Sequence, residues 1–307
     1  MLSSASIPIL SPNPTSWRIF HAVHFPFRSL TNLPRILILF TVSDLRTVMI
    51  PVASFTIIST SPINSSKLLA ALFWTWLHLL QFCVSNQSLH TEEDTLNKPW
   101  RPIPSNLIPI STTRQLRWLL LPVCIWLSVY HRITSIGVLL SLAFMAHNEF
   151  GFGSHWLLRN ACNAWGYAMF NAGSVGIANR GSIKDRQLFY SFIYNSLIIF
   201  TTIYAQDFRD IEGDALIGRK TLPVVFPKAS RIAILLSVWG WTSMLISTCH
   251  GPQAHPWLSI IFGAVGLVVG LRFYCFRSAM DDRKSYGLYN LWLIWAQFVH
   301  LPCMKLV

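Results

Sequence analysis

Apolar residues gather along this chain in long runs separated by short polar stretches. Nine runs fall at about 33–59, 68–84, 114–131, 133–149, 157–178, 188–206, 231–249, 257–277 and 286–304. About 20 apolar residues carry a helix across a bilayer core. Backbone groups in lipid have to be satisfied within the segment, and the runs are too long and too uniformly apolar for barrel strands. The pattern predicts an all-α integral membrane bundle of about nine transmembrane helices over 33–304, preceded by an N-terminal tail, 1–32.

Composition agrees. Of 307 residues, 52% are apolar and only 12% charged, with a mean hydropathy of +0.45; a soluble domain carries about twice that charge. In the tail, prolines interrupt the apolar patches of "IPILSPNPTSW", so no signal-peptide core forms. A loosely ordered cytosolic tail is expected, in preference to a mitochondrial presequence.

The net charge of +12 raises the question of nucleic acid. Its distribution answers in favour of topology. Most of the 24 Lys and Arg lie in the tail and in the loops after the second, fourth, sixth and eighth runs, whereas the opposite loops hold Lys67, Arg132, Arg180, Lys184 and Arg186. Basic loops mark the cytoplasmic side. No nucleic-acid partner is expected, and no obligate protein partner is inferred. The expected home is a multi-pass protein of the endoplasmic reticulum, ahead of the mitochondrial inner membrane. The six cysteines are scattered without metal-ligand or disulfide spacing. "HNEFGFGSH", with His147, Glu149 and His155, is a weak metal candidate.

The twelve acids are less scattered. Seven fall in "TEED" after the second run and "DFRDIEGD" after the sixth. Four crossings separate these stretches, so both face the same side. Asn86, His90 and Asp94 stand at i, i+4, i+8; Asp207, Asp210 and Asp214 have similar helical spacing. If each run continues as helix, each arm presents a column of ligands. Mg²⁺ prefers oxygen ligands and binds through one or two carboxylates plus substrate phosphates. Lys98, Arg101, Arg209, Arg219 and Lys220 stand nearby, and Arg suits phosphate oxygens. The pattern points to a site for Mg²⁺ and a diphosphate.

"NQSLHTEEDTLNKPWRPI", Asn86 to Ile103, and "DFRDIEGDALIGRKTLP", Asp207 to Pro223, resemble the two Asp-rich motifs of the UbiA superfamily of intramembrane prenyltransferases. The resemblance implies a nine-helix bundle around a membrane-embedded cavity, Mg²⁺ as cofactor, and a prenyl diphosphate substrate in a setting of membrane lipid. The first motif departs from the family pattern: Gln87 and His90 stand where two aspartates are usual. In this it is most similar to the fungal UbiA-type terpene cyclases, which ionise and cyclise a prenyl diphosphate without an aromatic acceptor.

The resemblance assigns Asn86, Asp94, Asp207, Asp210 and Asp214 to metal, with Asp94, Asp210 and Asp214 central to catalysis. It assigns Lys98, Arg101 and Lys220 to the diphosphate, with Arg209 and Arg219 beside them. Glu92 and Glu212 are expected to face water or pair with cations. The expected activity is Mg²⁺-dependent cyclisation of farnesyl or geranylgeranyl diphosphate; the alternative is prenyl transfer to an aromatic ring. Aromatic candidates for the cavity wall are Phe73, Trp74 and Trp76, then Trp165, Tyr167 and Phe170, then Trp292, Trp295 and Phe298. Asp44, inside the first run, is a candidate for steering the cation or for pairing with Arg46 or Arg159.

Overall fold

The computed structural model describes residues 32–60, 62–179, 186–248 and 256–298. The tail expected over 1–32, apart from Asn32, and the residues Arg180, Lys184, Asp185, Cys249 and Cys303 lie outside the described residues.

Within the described residues each apolar run is mainly helical. The first forms α1 (Leu33–Thr41) and α2 (Ile50–Ser59). Then come α3 (Ser65–Leu89), the short α4 (Thr91–Asn97), α5 (Ile110–Tyr130), α6 (Thr134–Asn148), α7 (Trp156–Ala178) and α8 (Arg186–Thr202). A 3₁₀ segment (Ile203–Asp210) leads into α9 (Ile211–Leu216) and α10 (Leu222–Val225), followed by α11 (Pro227–Thr248), α12 (Pro256–Cys275) and α13 (Ala279–Phe298). Among the described residues, extended pairing is limited to an isolated bridge between His155 and Lys220. By length and hydropathy, four helical stretches among the described residues qualify as membrane spans, and the bent α1–α2 pair adds a fifth. The fold is an all-helical bundle with fewer clear-cut crossings than the nine runs suggest. One reason is that α6 is only 15 residues long; another is that Asp281 and Asp282 begin α13.

Two features place the site. Asn64 caps α3 by accepting from the Ser66 amide at 2.8 Å. At 25 residues this helix is roughly 37 Å long, more than the ~30 Å of a bilayer core, so its Asn86 end reaches the rim. The second is a break in the first run. Its two halves are bent by 66°, with a π-helical turn, Leu45–Met49, after Asp44. The Phe40 carbonyl accepts from Gln87 Nε2 at 2.8 Å. The Thr47 carbonyl, which Pro51 cannot serve because it has no N–H, accepts from the Tyr167 hydroxyl. Irregular backbone at membrane depth is tolerated where it is buried in protein or lines a cavity. Here it does the latter: Asp44, Thr47 and Val48 line the main cavity.

Buried apolar side chains form two clusters. One centres on α2, α3, α5 and α6, the other on α8 and α11 to α13, and α7 contributes to both. The main cavity lies at their seam, between Leu79, Cys83 and Phe144 of the first and Tyr167 and Ile203 of the second.

Candidate active site

The two acidic arms do meet, but not as columns on continuous helices. α3 stops at Leu89, His90 leaves the helical region (φ −120°, ψ 45°), and α4 starts afresh. Glu92, Glu93 and Asp94 thereby occupy the first turn of α4, where free N–H groups favour negative charge. The second arm is a 3₁₀ segment through Asp210, with Asp214 on α9. The break turns Asp94 away from the line of Asn86. Asn86 instead donates from Nδ2 to Asn148 Oδ1 at 3.0 Å.

α4 and α9 touch at Gly213. A Cβ there would stand 2.1 Å from Asn97 Nδ2, so no larger residue fits without displacing it. Two ion pairs cross the same junction: Lys98 to Asp210 at 3.4 Å, and Arg219 to Glu93 at 2.7 Å. Arg219 also reaches Asp214 at 3.1 Å, and Arg101 binds Asp94 at 2.6 Å. Asp207 pairs with Arg159 at 3.0 Å, and Arg209 lies 3.6 Å from Asp210. Each of the four aspartates assigned from sequence thus has a cation beside it. Burial pushes the Asp94 carboxyl above the usual carboxylate range, against the pull of Arg101 and Lys98. Burial and then Arg219 push His90 below the usual imidazole range.

The cavity mouth is cationic. Lys98, Arg101, Arg159, Arg209 and Arg219 all line it, beside Asn86 and Asp210. Lys220 does not: it is exposed, while its neighbour Arg219 is buried. The short extended stretch after Gly218 sends successive side chains to opposite sides, and the Lys220 backbone is tied to Ser154 and Trp156. Asp94, Asp207 and Asp214 stand just behind the wall, reaching it through their arginines. Glu92 and Glu212 are exposed. Arg159 is the residue that the sequence reading missed as part of the site. Its signal was an arginine at the first turn of an apolar run, where an unpaired charge is costly.

Deeper, the wall is aromatic: Phe82, Phe144, Tyr167 and Phe170. Of the sequence candidates with described side chains, Tyr167 and Phe170 line the cavity; the Phe298 side chain lies outside the described residues. Phe73 and Trp165 are about half exposed on the outer face of the bundle, and Trp74 and Trp292 are fully buried in the two clusters. Asp44 lines the cavity, with Arg101 at 3.9 Å and the Cys83 thiol donating to it at 3.5 Å; Arg46 is exposed and Arg159 is engaged with Asp207. The residues of "HNEFGFGSH" disperse. His147 bonds Asn148, Glu149 pairs with Arg117, and His155 is exposed.

Among the described residues no three His, Cys, Asp or Glu side chains converge as a ready-made metal cage. The donor set is nevertheless suited to Mg²⁺. Asp94 and Asp214 each spend one oxygen on an arginine, and each keeps a buried Oδ2 without a hydrogen-bond partner. One carboxylate per arm, completed by phosphate oxygens, is the way Mg²⁺ commonly binds.

A model of the UbiA prenyltransferase family matches residues 48–294. The chain belongs to that family. It is 30% identical over 273 residues to the fumagillin beta-trans-bergamotene synthase of Aspergillus fumigatus, which covers 87% of this chain and 93% of that protein. A polyprenyl transferase of Hericium erinaceus is 27% identical over 226 residues, or 70% of this chain and 75% of that protein. A UbiA homologue from Archaeoglobus fulgidus bound to GPP and Mg²⁺ superimposes with a TM-score of 0.57 at 10% identity, covering 86% of this chain and 99% of that one. At that identity the likeness is one of fold.

Proposed function

We propose that the protein is a Mg²⁺-dependent membrane terpene cyclase, which ionises a prenyl diphosphate and cyclises the resulting carbocation. The carrying observation is the cavity itself: a mouth with five cationic side chains opening onto a wall of four aromatic rings. Such polarity fits a ligand with an anionic head and an apolar tail.

Lys98, Arg101, Arg159, Arg209 and Arg219 hold the diphosphate. As the carbon–oxygen bond breaks, they stabilise the charge gathering on the leaving oxygen, and they are fixed in place beforehand by their carboxylate partners. Mg²⁺ on Asp94, Asp210 and Asp214, with Asn86 and Asp207 at the edge of the set, would neutralise the same charge as a Lewis acid. The aromatic faces of Phe82, Phe144, Tyr167 and Phe170 each stabilise a nearby cation by roughly 0.5–2 kcal/mol and exclude water. Both arms face the cytosol, where pyrophosphate leaves, in a bundle crossing the membrane about nine times.

The likeness to a bergamotene synthase and the non-acidic Gln87 and His90 favour cyclisation. Aromatic prenyl transfer uses the same ionisation, and the likeness to a polyprenyl transferase keeps it as the rival. Purified protein incubated with Mg²⁺ and a prenyl diphosphate alone should release pyrophosphate and a cyclic hydrocarbon or alcohol, at a rate unchanged by 4-hydroxybenzoate or homogentisate. A strict requirement for the aromatic acid, with a prenylated ring as product, would make the protein a transferase.

A further inference from the structure

α7 presents one stripe to the cavity: Arg159, Cys162, Asn163, Gly166, Tyr167 and Phe170. The stripe runs from the cationic mouth to the aromatic end. From Arg159 to Phe170 the helix rises roughly 16 Å, at about 1.5 Å per residue.

The far end is closed by packing. Phe170 stands against Phe144 and, edge to face, against Trp74, with ring centroids 5.9 and 6.4 Å apart. Trp74 is itself seated on Gly173, where a Cβ would lie 2.2 Å from its ring, and donates to Ser128 Oγ at 2.9 Å. Trp74 is fully buried, so this floor has no slack.

Gly166, two turns nearer the mouth, is the opposite case. It is buried and lines the cavity, yet a Cβ built on it would meet nothing within 4 Å. Its φ is not in the left-handed region, so the backbone does not demand glycine. Neither does packing, and glycine costs about 1 kcal/mol against alanine within a helix. What glycine provides is space: a bay in the cavity wall half-way between diphosphate and floor.

We propose that Gly166 is the specificity-determining position of this cavity, and that the space between mouth and floor takes a prenyl chain of three isoprene units. This rests on the prenyl diphosphate reading above. At about 5 Å per isoprene unit, from ordinary carbon–carbon bond lengths, three units span the distance from Arg159 to Phe170. The bay gives the middle of the chain room to turn, which bringing its distal double bond towards C1 requires. A larger side chain at 166 removes that room and shortens the chain that fits. Because a Cβ at 166 meets nothing within 4 Å, alanine there displaces no packed neighbour.

The test is binding of unreactive S-thiolodiphosphate analogues with two, three and four isoprene units to the detergent-purified full chain with Mg²⁺, beside turnover of the matching diphosphates. Wild type should bind the three-unit analogue most tightly. Gly166→Leu should weaken the three- and four-unit analogues by about tenfold or more, as expected for some two displaced methylene groups, and leave the two-unit analogue nearly unchanged. Gly166→Ala should show the same order at smaller amplitude, which covers the case in which the leucine variant does not accumulate. Equal weakening of all three analogues, or of none, would overturn the assignment. If wild type bound the analogues in the expected order yet released no pyrophosphate from the matching substrates, the proposed reaction would fall while the length assignment stood.

Discussion

Gly213 of α9 and Asn97 of α4 meet where no side chain larger than hydrogen fits: a Cβ on Gly213 would lie 2.1 Å from Asn97 Nδ2. This close approach lies where the two acidic arms meet, with the ion pairs Lys98–Asp210 and Glu93–Arg219 alongside. Gly213→Ala has to displace the Asn97 amide, and where that side chain does not turn aside it pushes the arms apart by a fraction of an ångström to an ångström. Misplacements of that size cost on the order of a hundredfold in rate. We expect turnover to fall by at least tenfold while the protein remains folded in the membrane. Near wild-type turnover would show that the arms need not touch.

Asp214→Ala leaves Arg219 with Glu93 alone. Because Arg219 keeps the Glu93 carboxylate, thermal stability should fall by less than the about 3–5 kcal/mol of a buried pair broken outright. Activity should drop further than stability explains and should not be rescued by excess Mg²⁺. Asp210→Ala should also abolish pyrophosphate release, and Asp94→Ala should be severely impaired. Glu212→Ala is the control: Glu212 is exposed, and its loss should be mild. Equal effects at Glu212 and Asp214 would contradict the assignment.

Gln87 occupies the place of an aspartate in the family pattern, so Gln87→Asp looks like a restoration. It should instead be harmful. The Gln87 amide donates to the Phe40 carbonyl at the break in the first helix, and a carboxylate has no N–H to give. Leaving that buried acceptor unpaired costs about 1–3 kcal/mol, which a lowered midpoint in thermal unfolding would show. Higher Mg²⁺-dependent activity in this variant would refute the structural role.

Topology can be read with single introduced cysteines at Ser105 and Lys220, both exposed, after replacing the exposed Cys275. A membrane-impermeant maleimide should label both from the cytosolic face and neither from the lumenal face of sealed vesicles. Ser230, near the start of α11, is unsuitable because it is buried. Labelling from opposite faces would rule out a shared site.

The helices were legible because each apolar run is long and bounded by charge or proline. The meeting of the arms was legible too, since the acids fall in two short stretches that four intervening runs bring back to one end of the bundle. The actual path of the backbone was not. Nothing in "VSNQSLHTEED" announces that the helix stops at Leu89, because all its residues tolerate helix. The break at Asp44 left more of a trace, in a charge within an apolar run and Pro51 soon after. Arg159 stayed hidden because its partner, Asp207, is 48 residues away in sequence. The cavity aromatics were the hardest, since Phe82 and Phe144 differ from Phe73 and Trp165 only in the direction each faces around its helix.

The arginine–carboxylate pairs have a consequence for the idle enzyme. With Arg101 on Asp94, Arg159 on Asp207, Arg219 on Asp214 and Lys98 on Asp210, the site carries its own counter-ions between turnovers. Among the described residues each of these acids has a cation beside it, so their mutual repulsion is offset without a metal ion. On the proposed reading, magnesium would arrive and depart with the diphosphate. A chelator should stop turnover at once, yet leave the unfolding temperature of the substrate-free protein where it was.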